Sequence, residues 1–320
     1  MPQISEESPR SSCDGPLVTV LLTCWNREAT VVTAIESALN QTYRNLEIVV
    51  VDDASTDNSW QMICSIQDHR IIKTRRKVNG GQNAALNTGQ LVAQGDYIAF
   101  LDSDDTYGPY FLQTMLGKFD SPEWGFVYSL QGIQDSPPSL ESHSFTRVLV
   151  AGRLTGLGMI MAKSEAFKSI CPLPEMPQIR DMCQDDRICM ELSRKYSFNF
   201  VPKNHYIVGT ADNQVTSDYF MRARGWEIFF DDYSGDVREL AGTKRLAFHY
   251  TEVVTLFLLA GSHGEAFRVY LKATRELKNP ILLISYVAYH AWVRRSAILE
   301  KCPRAKKLRQ AMSRRNPRND

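Results

Sequence analysis

Three stretches of this sequence set oxygen-bearing side chains at spacings suited to chemistry on a charged ligand. Asp102-Ser103-Asp104 follows the apolar run Tyr97 to Leu101 and sets carboxylates at i and i+2. A hard divalent cation takes oxygen ligands. It is often held by only one or two protein carboxylates, with substrate phosphates completing its shell. One aspartate could ligate such an ion while the other holds water or ribose. The alternative is that these are turn formers and helix caps. Asp105 suits a cap or a supporting contact better than a ligand.

Asp52-Asp53-Ala54-Ser55-Thr56-Asp57 ends a second apolar run, Leu46 to Val51. A carboxylate there could accept the N3–H of a uracil, or the Ser-Thr-Asp group could cap the next helix. Gln184-Asp185-Asp186 opens a helical stretch reaching Tyr196. Asp185 could take the proton from an attacking hydroxyl, or these acids could answer the helix dipole.

The elements that must position these groups alternate. Leu17 to Leu22 reads as a buried strand, broken by Thr23-Cys24-Trp25-Asn26, and Arg27 to Leu39 has helical spacing. Leu46 to Val51 is a strand, Ser59 to Ile66 a helix, and Ile71-Ile72 a short strand. Asn79-Gly80-Gly81 is a turn and Asn83 to Ala93 a helix whose Ala84 and Ala85 allow close approach to the sheet. Gly95-Asp96 ends that helix before the strand Tyr97 to Leu101. Strands alternating with helices imply a mainly parallel α/β sheet, and ligands of such sheets bind beyond the carboxyl ends of the strands. That places Thr23–Asn26, Asp52-Asp53 and Asp102–Asp105 on one edge.

Farther on, Phe126 to Ser129 and Leu157 to Ala162 read as strands, Gln134 to Ser142 as a loop, and Phe145 to Gly152 and Lys163 to Ile170 as helices. Beyond Ser217 the character is helical. Phe267, Tyr270, Leu271, Thr274 and Leu277 follow helical spacing after a Gly-Ser-His-Gly turn, and the pair faintly evokes one tetratricopeptide unit.

Taken in order, LVTVLLTCWNRE, NQTYRNLEIVVVDDASTDNS, NGGQNAALNTG and GDYIAFLDSDDTY, followed more weakly by QDDRICMEL and NQVTS, resemble the family-2 glycosyltransferases. The resemblance covers about residues 17–217. It implies a GT-A fold, a Rossmann-like mixed and mainly parallel sheet flanked by helices. It also implies inverting transfer of a hexose-type sugar from a nucleotide-sugar donor, UDP-linked, to a glycan or lipid-linked acceptor. By position, Thr23, Cys24, Trp25 and Asn26 match the loop that contacts the base, and Asp53 the aspartate that pairs with uracil. Asn79, Gly81 and Asn87 match the asparagine–glycine loop and its helix. Asp102, Ser103 and Asp104 match the DxD segment, with Asp104 and Asp102 on a manganese or magnesium ion, and Asp185 matches the catalytic base. The chain departs from the family pattern in having Thr23 for a proline, Leu86 for an arginine, Gln184 for an acid before the base, and no histidine in Ile207–Thr210. Arg75 or Arg76 could supply positive charge in place of the absent arginine. A catalytically silent nucleotide-sugar binder and a sugar-nucleotide hydrolase are the rival readings.

The 320 residues, 43% apolar and 23% charged, suit a globular enzyme, and a net charge of +1 points to no partner. Seven cysteines with no CxxC pair argue against a disulfide framework and fit a reducing cytoplasm. Three parts are expected: a polar lead at 1–15, the GT-A domain at 16–217, and a helical extension with a basic tail at 218–320. Met1 to Gly15 has no apolar core of a secretory signal. Ile281 to Val293 falls short of the ~20 residues that span a bilayer. With the basic tail it reads either as a helix packed on the protein or as peripheral contact with the cytoplasmic membrane face. No nucleic-acid module surrounds those basic residues.

Overall fold

Seven strands build the central sheet in the order β3-β2-β1-β4-β7-β6-β8. The computed structural model describes residues 15–129, 156–176, 182–201, 205–209 and 218–278, without the side chains of 240 and 241. The polar lead before residue 15, the loop at 134–142, the helix at 145–152, the NQVTS segment, the apolar run at 281–293 and the basic tail lie outside the described residues.

β1 (Val18–Cys24), β2 (Leu46–Asp52), β3 (Ile71–Arg75) and β4 (Tyr97–Asp102) run parallel. Every residue of β1 and β2 is buried. That is the reading of a continuous apolar run covered on both faces. The break expected at Thr23 comes later, because Thr23 and Cys24 still pair with Val51 and Asp52. Helices α1 (Val31–Leu39), α2 (Ser59–Ser65) and α3 (Gln82–Val92) connect these strands. Beyond β4 the topology becomes mixed. β7 (Ile160–Lys163) runs antiparallel to both β4 and β6 (Trp124–Ser129), and β8 (Ser197–Val201) parallels β6. A 3-10 turn, Leu157–Met159, takes the first half of the expected Leu157–Ala162 strand. α4 (Phe111–Leu116), α5 (Ser164–Lys168) and α6 (Gln184–Ser193) complete this unit. β5 (Thr106–Tyr107) and β9 (Tyr206–Ile207) form a small antiparallel pair that the residue pattern did not foretell.

Two buried polar side chains fasten the loops that carry the site. Glu47, inside β2, accepts from Thr19 Oγ1 at 2.5 Å and from the N–H groups of Gln94 and Gly95 at 2.7 and 3.2 Å. A buried carboxylate is tolerable only when its lone pairs are satisfied. Gln41 donates to the carbonyl oxygen of Gly108 at 2.8 Å and accepts from the Leu112 N–H at 3.0 Å, tying α1 to the segment after β5.

Gly95 sits where the α3–β4 connection crosses β1. A Cβ there would lie 2.5 Å from the Thr19 nitrogen, 2.6 Å from its Oγ1 and 2.9 Å from the Tyr97 oxygen. Two of these are backbone atoms of buried strands, so the connection itself must move. Gly95→Ala is expected to cost about 1–3 kcal/mol, read as a lower denaturant midpoint at unchanged slope. A parental midpoint would show that the connection is looser than described.

The chain divides into two compact units, 1–214 and 215–320. In the second, α7 (Tyr219–Leu259) is interrupted at Gly242, whose φ of 80° is not helical, and is followed by α8 (His263–Leu277). Its interior holds Phe229, Phe230, Tyr233, Tyr250 and Phe257. Of the apolar stripe expected on α8, Leu277 is packed, while Phe267 and Leu271 are not. Ala266, Val269, Ala273 and Leu277 are buried, whereas Phe267 is 62% and Leu271 36% exposed. Small side chains let α8 sit close to α7, and the large aromatic is left outside. Among the described residues no helix is long and apolar enough to cross a membrane. Cys24, Cys64, Cys171 and Cys189 are free thiols.

Candidate active site

The carboxyl ends of β1, β2 and β4 carry the polar loops expected at one sheet edge. Thr23 is paired with Asp102 across β1 and β4, and Cys24 with Asp52 across β1 and β2. Asn26 adopts φ 51°, a left-handed conformation that asparagine tolerates. Its Oδ1 accepts from the Thr56 N–H at 2.8 Å and its own N–H donates to Ser55 Oγ at 3.0 Å. Asn26 therefore pins the first loop to the loop after β2. Trp25 beside it is 44% exposed. Cys24 is buried, and burial pushes its thiol up to about 12, so it is inert.

Asp53 is buried at the end of β2 and joins two of the motifs. Its carboxylate accepts the Gly81 N–H at 2.8 Å and the Gly80 N–H at 3.2 Å, and it pairs with Arg76. Asn79 Nδ2 closes the turn on the Asp53 carbonyl at 3.2 Å. The glycine turn is thus wrapped around Asp53, and Gly81, at φ 89°, leads into α3. Arg75, the other candidate cation, donates to the Asp52 carboxylate at 3.1 Å.

Asp102 ends β4, and Ser103, Asp104 and Asp105 follow it. Gln82 Nε2 donates to Asp102 Oδ1 at 2.9 Å, linking the glycine turn to the acidic segment. Burial, then the charges of Asp105 and Asp104, push the Asp102 carboxyl up to about 7; the Gln82 hydrogen bond works against this, and the Asp185 charge adds to it. Asp105 is also raised, chiefly by burial, and accepts from the Tyr206 hydroxyl and from the Gly209 N–H at 2.7 Å. Tyr206 Oη also lies 3.5 Å from Asp102 Oδ2. Asp104 faces Arg27, with Nε 3.4 Å from Oδ2.

Asp185 stands in the first turn of α6. The Gly156 N–H donates to its Oδ2 at 3.0 Å, while burial raises its pKa above the usual carboxylate value. The next residue, Asp186, is raised further, by burial and then by Asp185. The charge of Asp185 is the last and smallest of the influences that raise Asp102.

The expected residues therefore divide. Thr23 through Asn26, Asp53, Asn79 and Gly81 share one linked loop system, and Gln82 extends it to Asp102, Ser103 and Asp104. Asn87 is turned elsewhere. Its Nδ2 donates to the Leu173 carbonyl at 2.9 Å and its Oδ1 accepts the Leu173 N–H at 2.7 Å, while Asn83 Nδ2 holds the Pro174 carbonyl at 2.7 Å. Residue spacing gave no signal for Arg27, Gln82, Tyr206 or Gly209. Only the pairing of β5 with β9, distant in sequence, brings the last two to Asp105.

Asp102, Asp104 and Asp105 are an all-oxygen set, and the Asp102 carboxyl is raised first by burial and then by the charges of the other two. That fits a hard divalent cation. Among the described residues no three His, Cys, Asp or Glu side chains converge as a finished cage. An ion here would complete its shell from its ligand, as magnesium-type sites do.

Residues 19–181 match the family model described as Glycosyl transferase family 2. WfaP of Escherichia coli, a UDP-Glc:alpha-D-GlcNAc-diphosphoundecaprenol beta-1,3-glucosyltransferase, is 35% identical over 133 residues, 39% of this chain and 53% of that protein. The succinoglycan biosynthesis protein ExoO of Rhizobium meliloti is 41% identical over 106 residues, 33% of this chain and 30% of that protein. The matched part spans about half of the first relative and less of the second. Among solved structures, the mannosyltransferase PcManGT of Pyrobaculum calidifontis, in complex with GDP-Man and Mn2+, superposes with a TM-score of 0.54 at 17% identity, over 92% of this chain and 83% of that one. S. aureus TarS 1-349 in complex with UDP gives 0.52 at 15% identity, over 88% and 91%. At those identities the likeness is one of fold.

Proposed function

Because the chain belongs to glycosyltransferase family 2 and has its GT-A fold, we propose that it transfers a sugar from a nucleotide-sugar donor, UDP-linked, to a glycan or lipid-linked acceptor, with inversion and with a divalent cation. The observation that carries this reading is the joining of the loops after β1, β2 and β4 at one sheet edge, where Asp53 accepts the Gly81 N–H at 2.8 Å and Gln82 donates to Asp102 at 2.9 Å. Asp53 holds the base. Its carboxylate already accepts from Arg76, Gly80 and Gly81 on both oxygens, so the N3–H of uracil takes the place of one of these contacts. Asp104, with Asp102, holds manganese or magnesium, which when bound supplies charge stabilisation to the departing diphosphate. Asp185 accepts the proton of the acceptor hydroxyl as it attacks the anomeric carbon.

The named acceptor of WfaP is lipid-linked, and ExoO is named for polysaccharide biosynthesis. Both suit an acceptor presented at the cytoplasmic membrane face. Contact of the basic tail with that face rests on sequence alone. One observation favours a silent binder instead: Arg76 and Arg27 already occupy Asp53 and Asp104.

Titration of the full chain with UDP-sugars, with and without manganese, tests the reading together with an assay of UDP release. Manganese is expected to tighten donor binding by roughly tenfold or more, since each 1.4 kcal/mol of added contact is a factor of ten. UDP release is expected to need an acceptor extract. Donor binding with no release under any acceptor would favour the silent binder. Release independent of acceptor would favour a hydrolase.

A further inference from the structure

A diphosphate held at Asp104 needs positive charge beside it, and α3, which opens on the glycine turn, carries no lysine or arginine. Two arginines at the strand ends are committed elsewhere. Arg75 donates to Asp52 and, through Nη2, to the Ser55 carbonyl at 3.0 Å, and Arg76 is bound to Asp53. Arg27 is different. It stands 3.4 Å from Asp104 with both side chains less than one-fifth exposed. That is a single long contact through Nε rather than the paired fork that binds carboxylates most strongly. Its backbone is fixed, the N–H on Ser59 Oγ at 2.7 Å and the carbonyl accepting from Thr30 and Val31 at 3.1 and 3.0 Å. Nη1 donates to the Asn26 carbonyl at 3.1 Å. The Cα cannot drift, and the guanidinium meets its own loop through Nη1 and Asp104 by one long contact through Nε.

We propose that Arg27 is a donor-binding residue that neutralises Asp104 until a divalent cation takes that carboxylate, and then pairs with the diphosphate of the donor. The inference rests on the reading of Asp104 as the cation's ligand. A guanidinium and a divalent cation repel when they share one carboxylate. With a cation on Asp104, the guanidinium of Arg27 would be released from that carboxylate and could pair its fork with a diphosphate, for which it is suited. Before that, the arginine offsets part of the mutual repulsion of Asp102, Asp104, Asp105 and Asp185. It also accounts for the occupied Asp104 without making the protein silent.

The test is calorimetry on the full chain and on Arg27→Gln, with three probes: manganese alone, UDP in saturating manganese, and uridine in saturating manganese. The expected signs are opposite. Arg27→Gln should bind manganese alone several-fold more tightly, because a competing cation is gone. It should bind UDP roughly tenfold to a hundredfold more weakly, the loss of a charged hydrogen-bonded contact, with uridine unchanged. Arg27→Met, which keeps the aliphatic stem, should repeat these signs if the glutamine variant melts early. Equal losses for UDP and uridine, or joint weakening of manganese and UDP, would overturn the proposal and leave Arg27 a support of its loop. Unchanged UDP affinity would overturn it as well. A parent chain that binds neither manganese nor UDP would overturn the underlying function together with the inference, whereas a parent that binds both isolates the failure to Arg27.

Discussion

Asp185→Asn is expected to lower kcat by about 10²–10⁴-fold, the usual contribution of a positioned general base, while leaving the affinity for UDP in manganese within a few-fold of the parent. The substitution is nearly isosteric. Asparagine can still accept the Gly156 N–H that Asp185 receives at 3.0 Å, so the start of α6 need not move. What disappears is the ability to take a proton. A loss seen in kcat and kcat/KM alike, with donor binding intact, identifies an interaction made in the transition state. The pH dependence follows with a definite sign. Burial raises the Asp185 pKa, and a base works only when ionised. Activity should therefore be complete at high pH and fall as pH drops through a pKa above the ordinary carboxylate value of about 4. The profile is best taken in saturating manganese, where the cation's charge keeps Asp102 from adding its own titration. A kcat for Asp185→Asn within threefold of the parent removes the base assignment. An acid limb at or below pH 4 argues that some other group takes the proton.

Much of this arrangement was legible because it follows from local rules. β1, β2 and β4 read as continuous apolar runs since both of their faces are covered. The acids at the ends of β2 and β4 stand out because mostly polar residues follow them. Parallel order then forces those ends to one edge. The glycine turn was legible as a turn, and the structure adds its object: Gly80 and Gly81 give their N–H groups to Asp53. What could not be read depends on contacts between residues far apart in sequence. Tyr206 reaches Asp105 only through the β5–β9 pair, whose strands are too short to show a period. Asn87 was legible by its place after the glycine turn, yet its amide is turned to Leu173, because the segment around Leu173 and Pro174 needs partners for its backbone. On α8 the spacing marked Phe267, Leu271 and Leu277, but of these only Leu277 is buried, beside Ala266, Val269 and Ala273. Periodicity reports which residues share a face. It does not say which face is buried when small side chains compete with large ones.

Gly209→Ala should damage the site more than the fold. A Cβ at Gly209 would lie 1.8 Å from the Asp104 carbonyl oxygen and 3.0 Å from its carbon. Backbone of the acidic segment cannot rotate aside like the tip of a side chain, so either residues 205–209 or the Asp102–Asp105 turn must shift by more than an ångström. In either case the Gly209 N–H leaves Asp105 Oδ1, now 2.7 Å away, and the Tyr206 hydroxyl is drawn from the same carboxylate. Misplacement of about 1 Å in a reacting group costs on the order of 10²-fold in rate, and kcat/KM for the variant is expected to fall by about that factor. The stability loss should be smaller. β9 is a two-residue strand outside the seven-stranded sheet, so its detachment leaves the buried runs of β1, β2 and β4 paired. The melting temperature is therefore expected to drop by only a few degrees, in line with ~1 kcal/mol in a domain of this size. Manganese affinity measured on the same variant separates the two ways of failing. Weaker manganese binding means that the acidic turn moved. Parental manganese binding with slow turnover means that the 205–209 segment moved instead. A variant with parental kcat/KM would show that this close approach has no part in holding the acidic turn.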